Sequence, residues 1–436
     1  MSYFTAIESI PYQGVNNQDE LAYRYYNPQQ LVLGKTMAEQ LRLAVCYWHS
    51  FCWQGNDPFG GPTRNLPWQA SDALQQAENK LAAAFEFFSK LNVPFFSFHD
   101  TDLAPAGDNP QDYVNNLKHM VELTAKQMAK HKIKLLWGTA NLFSHPRYQA
   151  GAATNPDPEI FSYGALQVKQ ALEATHQLQG ANYVLWGGRE GYDTLLNTDL
   201  RQELNQLGRF LSLVAEHKHK IGFTGQLLIE PKPCEPTKHQ YDFDSATVYA
   251  LLQKFNLEQE FKVNIEANHA TLAGHSFEHE VSYALANDLL GSIDINRGDY
   301  QNGWDTDQFP NSVEEMTGVI YQLVKHGGWQ QGGFNFDAKV RRQSTDLTDM
   351  FYGHVGAIDV LAKALLNAER LIKEQTLEQL KQQRYKGWQQ PLGQDISEGK
   401  HSLASLADKV LTENNEPQPR SGQQERLENL INRYIH

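Results

Sequence analysis

The fold class that this sequence predicts is α/β, a closed (β/α)8 TIM barrel with an N-terminal arm and a mostly helical C-terminal extension. Short apolar runs alternate with helical periodicity along most of the chain, as successive βα units of a parallel sheet do. The runs end repeatedly in polar residues, which suits the convergent loops at a barrel mouth. The 436 residues, 41% apolar and 20% charged, provide for a barrel of about 250 residues with extensions.

Residues 1–40 are polar and aromatic, as in Tyr23-Arg24-Tyr25-Tyr26-Asn27-Pro28, and read as an arm on the surface rather than a domain. The barrel is assigned to 41–375 and the C-terminal extension to 376–436. Leu41 to Tyr47 is the predicted first strand. Its exit, Trp48-His49-Ser50-Phe51, enters a long Gly/Pro-rich loop through Asn56 and Phe59. A loop of that length with no element of its own is often functional or reaches a partner subunit.

Helical periodicity over 71–91 leads to a strand at Val93 to Phe98, with Pro94 tolerated near its start and His99-Asp100-Thr101-Asp102 at its exit. A helix over 112–130 precedes a third strand, Ile133 to Trp137, which exits at Gly138-Thr139-Ala140-Asn141. A helix over 159–178 precedes a fourth, Tyr183 to Trp186. The following Gly187-Gly188-Arg189-Glu190-Gly191 matches neither a G-x-G-x-x-G nor a Walker pattern and reads as a tight turn.

The remaining strands carry the chemistry. Leu227-Leu228-Ile229 ends in Glu230-Pro231-Lys232, and Phe261 to Ile265 ends in Glu266-Ala267-Asn268-His269. Gly291-Ser292-Ile293 leads to Asp294, with Asp305 and Asp307 in the loop beyond. Gly333 to Phe336 ends at Asp337. Helices are expected near 205–218, 244–255, 278–287, 312–325 and 357–375. The tail beyond keeps helical patterning around Leu403 to Ala407 and in its final segment, and is expected to pack on another subunit.

Taken singly, an acidic strand end is usually a helix cap or a solvated loop residue. Together, Glu230, Glu266, Asp294, Asp305, Asp307 and Asp337 would repel one another strongly on one barrel face. Hard divalent cations relieve that repulsion, and carboxylate oxygens suit Mg²⁺ or Mn²⁺. Two such ions and Lys232 nearly neutralise the six charges. His99, just past a phenylalanine-rich strand, has Asp102 three residues later. A carboxylate on one imidazole nitrogen leaves the other to handle a substrate proton, provided the chain bends between them.

The net charge of −13, from 38 basic and 51 acidic residues, opposes binding to nucleic acid or anionic membranes. Cys46, Cys52 and Cys234 form no Cys-x-x-Cys pair, which fits a reduced compartment. With no apolar segment of about 18 residues and no leader pattern, the chain is expected to be cytoplasmic.

Several of these stretches resemble the xylose isomerase family: Phe98-His99-Asp100-Thr101-Asp102, Ile229-Glu230-Pro231-Lys232-Pro233, Asn264 to His269, and Asp294 to Asp299 with Gly303-Trp304-Asp305-Thr306-Asp307. The resemblance covers nearly the whole chain in family order, and the long arm resembles the class II branch. It implies a first metal held by Glu230, Glu266, Asp294 and Asp337, and a second held by Glu266, His269, Asp305 and Asp307. Mg²⁺, Mn²⁺ or Co²⁺ would serve. It further implies that His99, oriented by Asp102, opens the sugar ring, that Lys232 hydrogen-bonds O1, and that a 1,2-hydride shift interconverts aldose and ketose. Trp48, Trp137, Thr139 and Trp186 are expected at the sugar, with Phe59 entering a neighbouring subunit's site in a homotetramer. Metal-dependent phosphodiesterases on related barrels are disfavoured by the single His ligand and negative charge. Rhamnose isomerase shares fewer of these motifs, and a barrel keeping metals only for stability has no need of His99, Asp102 and Lys232.

Overall fold

The computed structural model describes residues 2–435. Eight parallel strands close a barrel: β1 (Leu43–Cys46), β2 (Phe95–His99), β3 (Lys134–Thr139), β4 (Asn182–Trp186), β5 (Gln226–Glu230), β6 (Phe261–Glu266), β7 (Leu290–Asp294) and β8 (Phe334–Phe336). They pair in sequence order, and β8 returns to β1 with Phe334 opposite Leu43 and Phe336 opposite Val45. The register shifts once between β2 and β3, where Ser97 pairs with Trp137.

Each strand is followed by a helix on the outside: α1 (Ala73–Leu91), α2 (Pro110–His131), α3 (Pro158–Gln177), α4 (Leu200–Ile221), α5 (Ser245–Lys254), α6 (Phe277–Ala286), α7 (Val313–Lys325) and α8 (Leu347–Glu374). Their starts follow from short polar residues that satisfy free backbone N–H groups. Asp72 accepts from Gln75 N–H, Asp199 from Gln202 N–H and Ser312 from Glu315 N–H. Asn109 and Asp157 cap helices that begin with proline.

Two differences from the sequence expectation have simple causes. The exit of β1, for which the sequence predicts no element, is a wide helical turn over Trp48–Cys52 ahead of the Gly/Pro-rich loop. Helix α8 begins ten residues before the expected Ala357, because Asp346 and Asp349 form a reciprocal cap ahead of Gly353 and Gly356. Gly353 is required there: a Cβ would lie 2.5 Å from the Phe309 ring.

Period-two alternation divides the barrel interior into two levels. The lower level holds Ala44, Phe95, Leu136, Trp137, Val184 and Leu228, packed on one another. Two residues further along β5 stands Glu230, and the corresponding advances on other strands bring in Ser97 and His99, Asn264 and Glu266, Ser292 and Asp294. The apolar floor excludes water beneath a polar mouth. The larger core lies between strands and helices, and includes Phe4, Ile7, Ile10, Tyr23 and Tyr26 from the first forty residues.

After α8 the chain forms four short helices, Thr376–Tyr385, Pro391–Ser397, Leu403–Glu413 and Gln424–Asn432. They bury almost nothing: Leu403 is 89% and Leu411 76% exposed. Tyr434, next to their end, is buried, with its hydroxyl on Glu374 and Arg370 over its ring. No helix among the described residues is long and apolar enough to cross a membrane.

Candidate active site

The C-terminal strand ends surround a cavity of about 180 Å³. Its walls include Trp48, Trp137, Thr139 and Trp186, its rim His99, and its acidic side Glu230, Glu266, Asp294, Asp305, Asp307 and Asp337 with His269. The expected wall and acidic residues therefore meet at one place. Trp48 and Trp137 pack with ring centroids 5.3 Å apart, and His99 stands edge-on to Trp48 at 4.5 Å.

The bend required between His99 and Asp102 is a single helical turn, Asp100–Leu103. It places Asp102 Oδ2 2.8 Å from His99 Nδ1. Asp100 points away from the cavity and is fully buried, accepting from Tyr113 Oη and Gln167 Nε2 at 2.7 and 2.9 Å.

Asp305 and Asp307 come from outside the barrel strands. An antiparallel hairpin, Arg297–Asp299 with Trp304–Gln308, folds back over the mouth. Asp307 takes a left-handed φ of 45°, which aspartate tolerates better than most residues. Ligand atoms of Glu266, Asp305 and Asp307 then lie within 4.8 Å of one another, as do those of Glu230, Asp294 and Asp337, and those of Glu230, Glu266 and His269.

Burial and mutual repulsion set the electrostatics of this group. Burial, then Asp294, pushes the Glu230 carboxyl well above its usual range, and burial with Asp305 does the same to Glu266. Asp294 is raised by burial and by Asp337. Asp305 moves the other way: burial would raise it, but Lys232 and His269 hold it well below the usual range. Lys232 is buried and ion-paired to Asp305, with Glu235 Oε2 at 3.7 Å. Its ammonium lies 5.3 Å from the Trp186 ring centroid, behind the cavity wall rather than on it. Phe59 does not reach this cavity; it is 80% exposed and stacks on Trp304 at 5.7 Å.

Two polar atoms in the cluster are buried without a hydrogen-bond partner, Asp294 Oδ2 and His269 Nδ1. Leaving such atoms unpaired is costly. Oxygen-rich donors, three carboxyls raised by burial and then by repulsion, and unpartnered buried atoms all fit divalent cations.

Across its full length the chain is 59% identical to the xylose isomerase of Actinobacillus pleuropneumoniae serotype 5b (strain L20), covering 99% of that protein. It is equally similar to the xylose isomerase of Escherichia coli O139:H28 (strain E24377A / ETEC), again covering 99%. The chain belongs to the xylose isomerase family. Residues 381–435 also match the model of the XylA2 C-terminal domain. Among solved structures, an L-ribulose 3-epimerase superposes with a TM-score of 0.51 at 15% identity, over 71% of this chain and 95% of that one, a likeness of fold.

This xylose isomerase family member also has site residues that sequence reasoning passed over. His49 Nε2 lies 3.1 Å from both Asp307 Oδ2 and Asp337 Oδ1. Burial would lower its pKa, yet Asp307 leads a set of partners that raise it to about 9. Lys339 Nζ lies 2.7 Å from Asp307 Oδ2. Buried amides hold the carboxylates from behind: Asn264 Nδ2 donates to Glu230 at 2.9 Å, Asn296 Nδ2 to Glu266 at 2.7 Å, and Asn335 Nδ2 to Asp294 at 3.0 Å. The available signal was spacing, since Asn264 and Asn335 each stand two residues before an acidic strand end.

Proposed function

We propose that this isomerase interconverts D-xylose and D-xylulose, and also D-glucose and D-fructose, by ring opening and a 1,2-hydride shift assisted by two divalent metal ions. The observation that carries the proposal is the single cavity in which the His99–Asp102 pair faces the carboxylate cluster across an aromatic wall. Glu230, Glu266, Asp294 and Asp337 would hold one ion, and Glu266, His269, Asp305 and Asp307 the other. Two donor groups within 4.8 Å support this division, Glu230 with Asp294 and Asp337, and Glu266 with Asp305 and Asp307, while His269 groups with both Glu230 and Glu266. Bound Mg²⁺, Mn²⁺ or Co²⁺ would supply Lewis acidity, polarising the sugar carbonyl and easing deprotonation of the neighbouring hydroxyl.

The protein's own side chains do the rest. Asp102 fixes the His99 ring through Nδ1, which leaves Nε2 to meet the ring oxygen and anomeric hydroxyl of the cyclic sugar. Trp48, Trp137 and Trp186 keep bulk water from the migrating hydrogen and give the sugar an apolar face to lie on. Thr139 donates its hydroxyl to the Val184 carbonyl at 2.5 Å and closes the wall between β3 and β4. Lys232, now ion-paired to Asp305 behind the Trp186 wall, would be freed to hydrogen-bond O1 of the open-chain sugar if Asp305 served as a metal ligand.

The same reading makes the working unit a cytoplasmic homotetramer. Exposed Phe59 on the loop after β1 would complete a neighbour's cavity, and the 376–436 extension, with its exposed apolar residues, would cover a second subunit.

The experiment is sugar conversion by chelator-stripped protein, followed by NMR with D-xylose and D-glucose before and after Mg²⁺, Mn²⁺ or Co²⁺ is returned. Ketose formed only with metal, and without solvent deuterium entering the migrating position, is the expected result. No ketose from folded, metal-loaded protein with either sugar would overturn the proposal.

A further inference from the structure

A second group of metal-ligating side chains lies on the outer helical layer, at the starts of α5 and α6 and outside the cavity lining. His275 immediately precedes Ser276, the residue that caps α6, and His279 and Glu280 follow in the first turn of that helix. Ligand atoms of His275, His279 and Glu280 lie within 4.8 Å of one another. The two imidazoles, four residues apart, have ring centroids separated by 4.9 Å.

The surroundings of Glu280 and His275 set this group apart from a chance surface cluster. Glu280 is only 4% exposed. One of its oxygens, Oε2, accepts from Ser245 N–H and Oγ at 3.0 and 2.7 Å, at the start of α5. The other, Oε1, faces the His275 ring at 3.7 Å, beyond hydrogen-bond distance. Asp244, the cap of α5, has Oδ2 3.1 Å from His275 Nε2, the same nitrogen that faces Glu280, and so orients the ring with Nδ1 as the nitrogen left to ligate. A carboxylate behind a ligating imidazole is the usual support at a metal site.

We propose that His275, His279 and Glu280 form a further metal site, oriented by Asp244, which takes a borderline divalent ion such as Zn²⁺. Two imidazoles and one carboxylate favour Zn²⁺ over Mg²⁺, whereas the carboxylate-rich barrel mouth accepts hard ions. Donors around a four-coordinate zinc stand about 3.3 Å apart, so the group closes on an ion through small rotations, for which exposed His279 leaves room. The ion would tie the start of α6 to the start of α5, a structural role independent of sugar chemistry.

The test is equilibrium dialysis of the full-length protein against micromolar Zn²⁺ in a large excess of Mg²⁺, with bound zinc counted by mass spectrometry of the metal. The wild-type chain should retain one zinc, and His279→Asn should weaken that binding at least about tenfold. Because His279 is exposed, this variant keeps its fold, and its sugar conversion should match the wild type. No zinc retained by the wild type overturns the proposal, as does equal retention by His279→Asn, which would place the ion at the barrel mouth.

Discussion

Asp102 Oδ2 lies 2.8 Å from Nδ1 of His99, across one turn of helix at the rim of the cavity. The pairing fixes which nitrogen faces the sugar. His99→Gln should lower turnover of the cyclic sugar about 10²–10⁴-fold, the range for loss of a positioned acid–base group, and leave metal binding intact. A substrate supplied in open-chain form should suffer less. Equal loss on both forms, measured by rapid-mixing assays, removes His99 from ring opening.

Buried Lys232 and half-buried Asp305 are each other's counter-charge. Lys232→Met should therefore destabilise chelator-treated protein by about 3 kcal/mol, as when one partner of a buried pair is removed. Mn²⁺-loaded protein should lose less, because an ion takes over the charge of Asp305. Denaturant titrations of both forms provide the measurement, and an equal loss would contradict an ion beside Asp305.

Asp305→Asn should weaken one of two metal-binding events and spare the other, since the group formed by Glu230, Asp294 and Asp337 excludes it. Calorimetric titration with Mn²⁺ should resolve a tight and a weakened site. Uniform weakening would mean that the two groups share their ions.

At the other end of the barrel, Glu86 clamps the start of the chain, accepting from Ser2 Oγ at 2.6 Å and from Tyr3 N–H at 2.8 Å. Burial would raise its carboxyl, but Lys90, Ser2 and the two backbone N–H groups of Tyr3 and Phe4 bring it down to about 2. A carboxylate depressed in the folded state stabilises fully above its unfolded value, 4.5 here, and loses that contribution as pH falls toward about 2. Hydrogen-exchange protection factors in residues 2–10 should fall across that window in the wild type, and Glu86→Gln should show low protection already at pH 7. An unchanged profile in the variant would mean that the buried Phe4, Ile7 and Ile10 hold the arm alone.

Phe59→Ala should reduce kcat/KM without changing stability, because the side chain is exposed and packs only on Trp304 within its own chain. The effect should vanish in protein diluted below its assembly concentration, where activity is already low. A full-activity variant would sever Phe59 from catalysis.

The sequence made the strands legible because their apolar runs are bounded by charged or glycine-rich exits, and Glu230, Glu266 and Asp294 sit at those boundaries. The helices were legible through their caps, as at Asp72 and Ser312. His49 was hidden because it lies within the turn Trp48–Cys52, whose wide helical geometry has no clear periodicity. Lys339 follows Asp337 by two residues, but its pairing with Asp307 depends on a hairpin from a different βα loop. The early start of α8 was masked by Gly353, a glycine kept for the approach of Phe309 rather than for backbone freedom.

The closing strand β8 has only three residues, and Asp337 is the first residue beyond it. The hydrogen bond from Trp48 Nε1 to Asp337 Oδ1 joins positions 289 apart in the chain. Such contacts form late, after much loop entropy has been lost. An ion shared by Glu230, Asp294 and Asp337 would thus recognise only a ring that has already shut. It should act as a lock on the finished molecule, slowing unfolding in proportion to its occupancy while the rate of folding stays nearly constant.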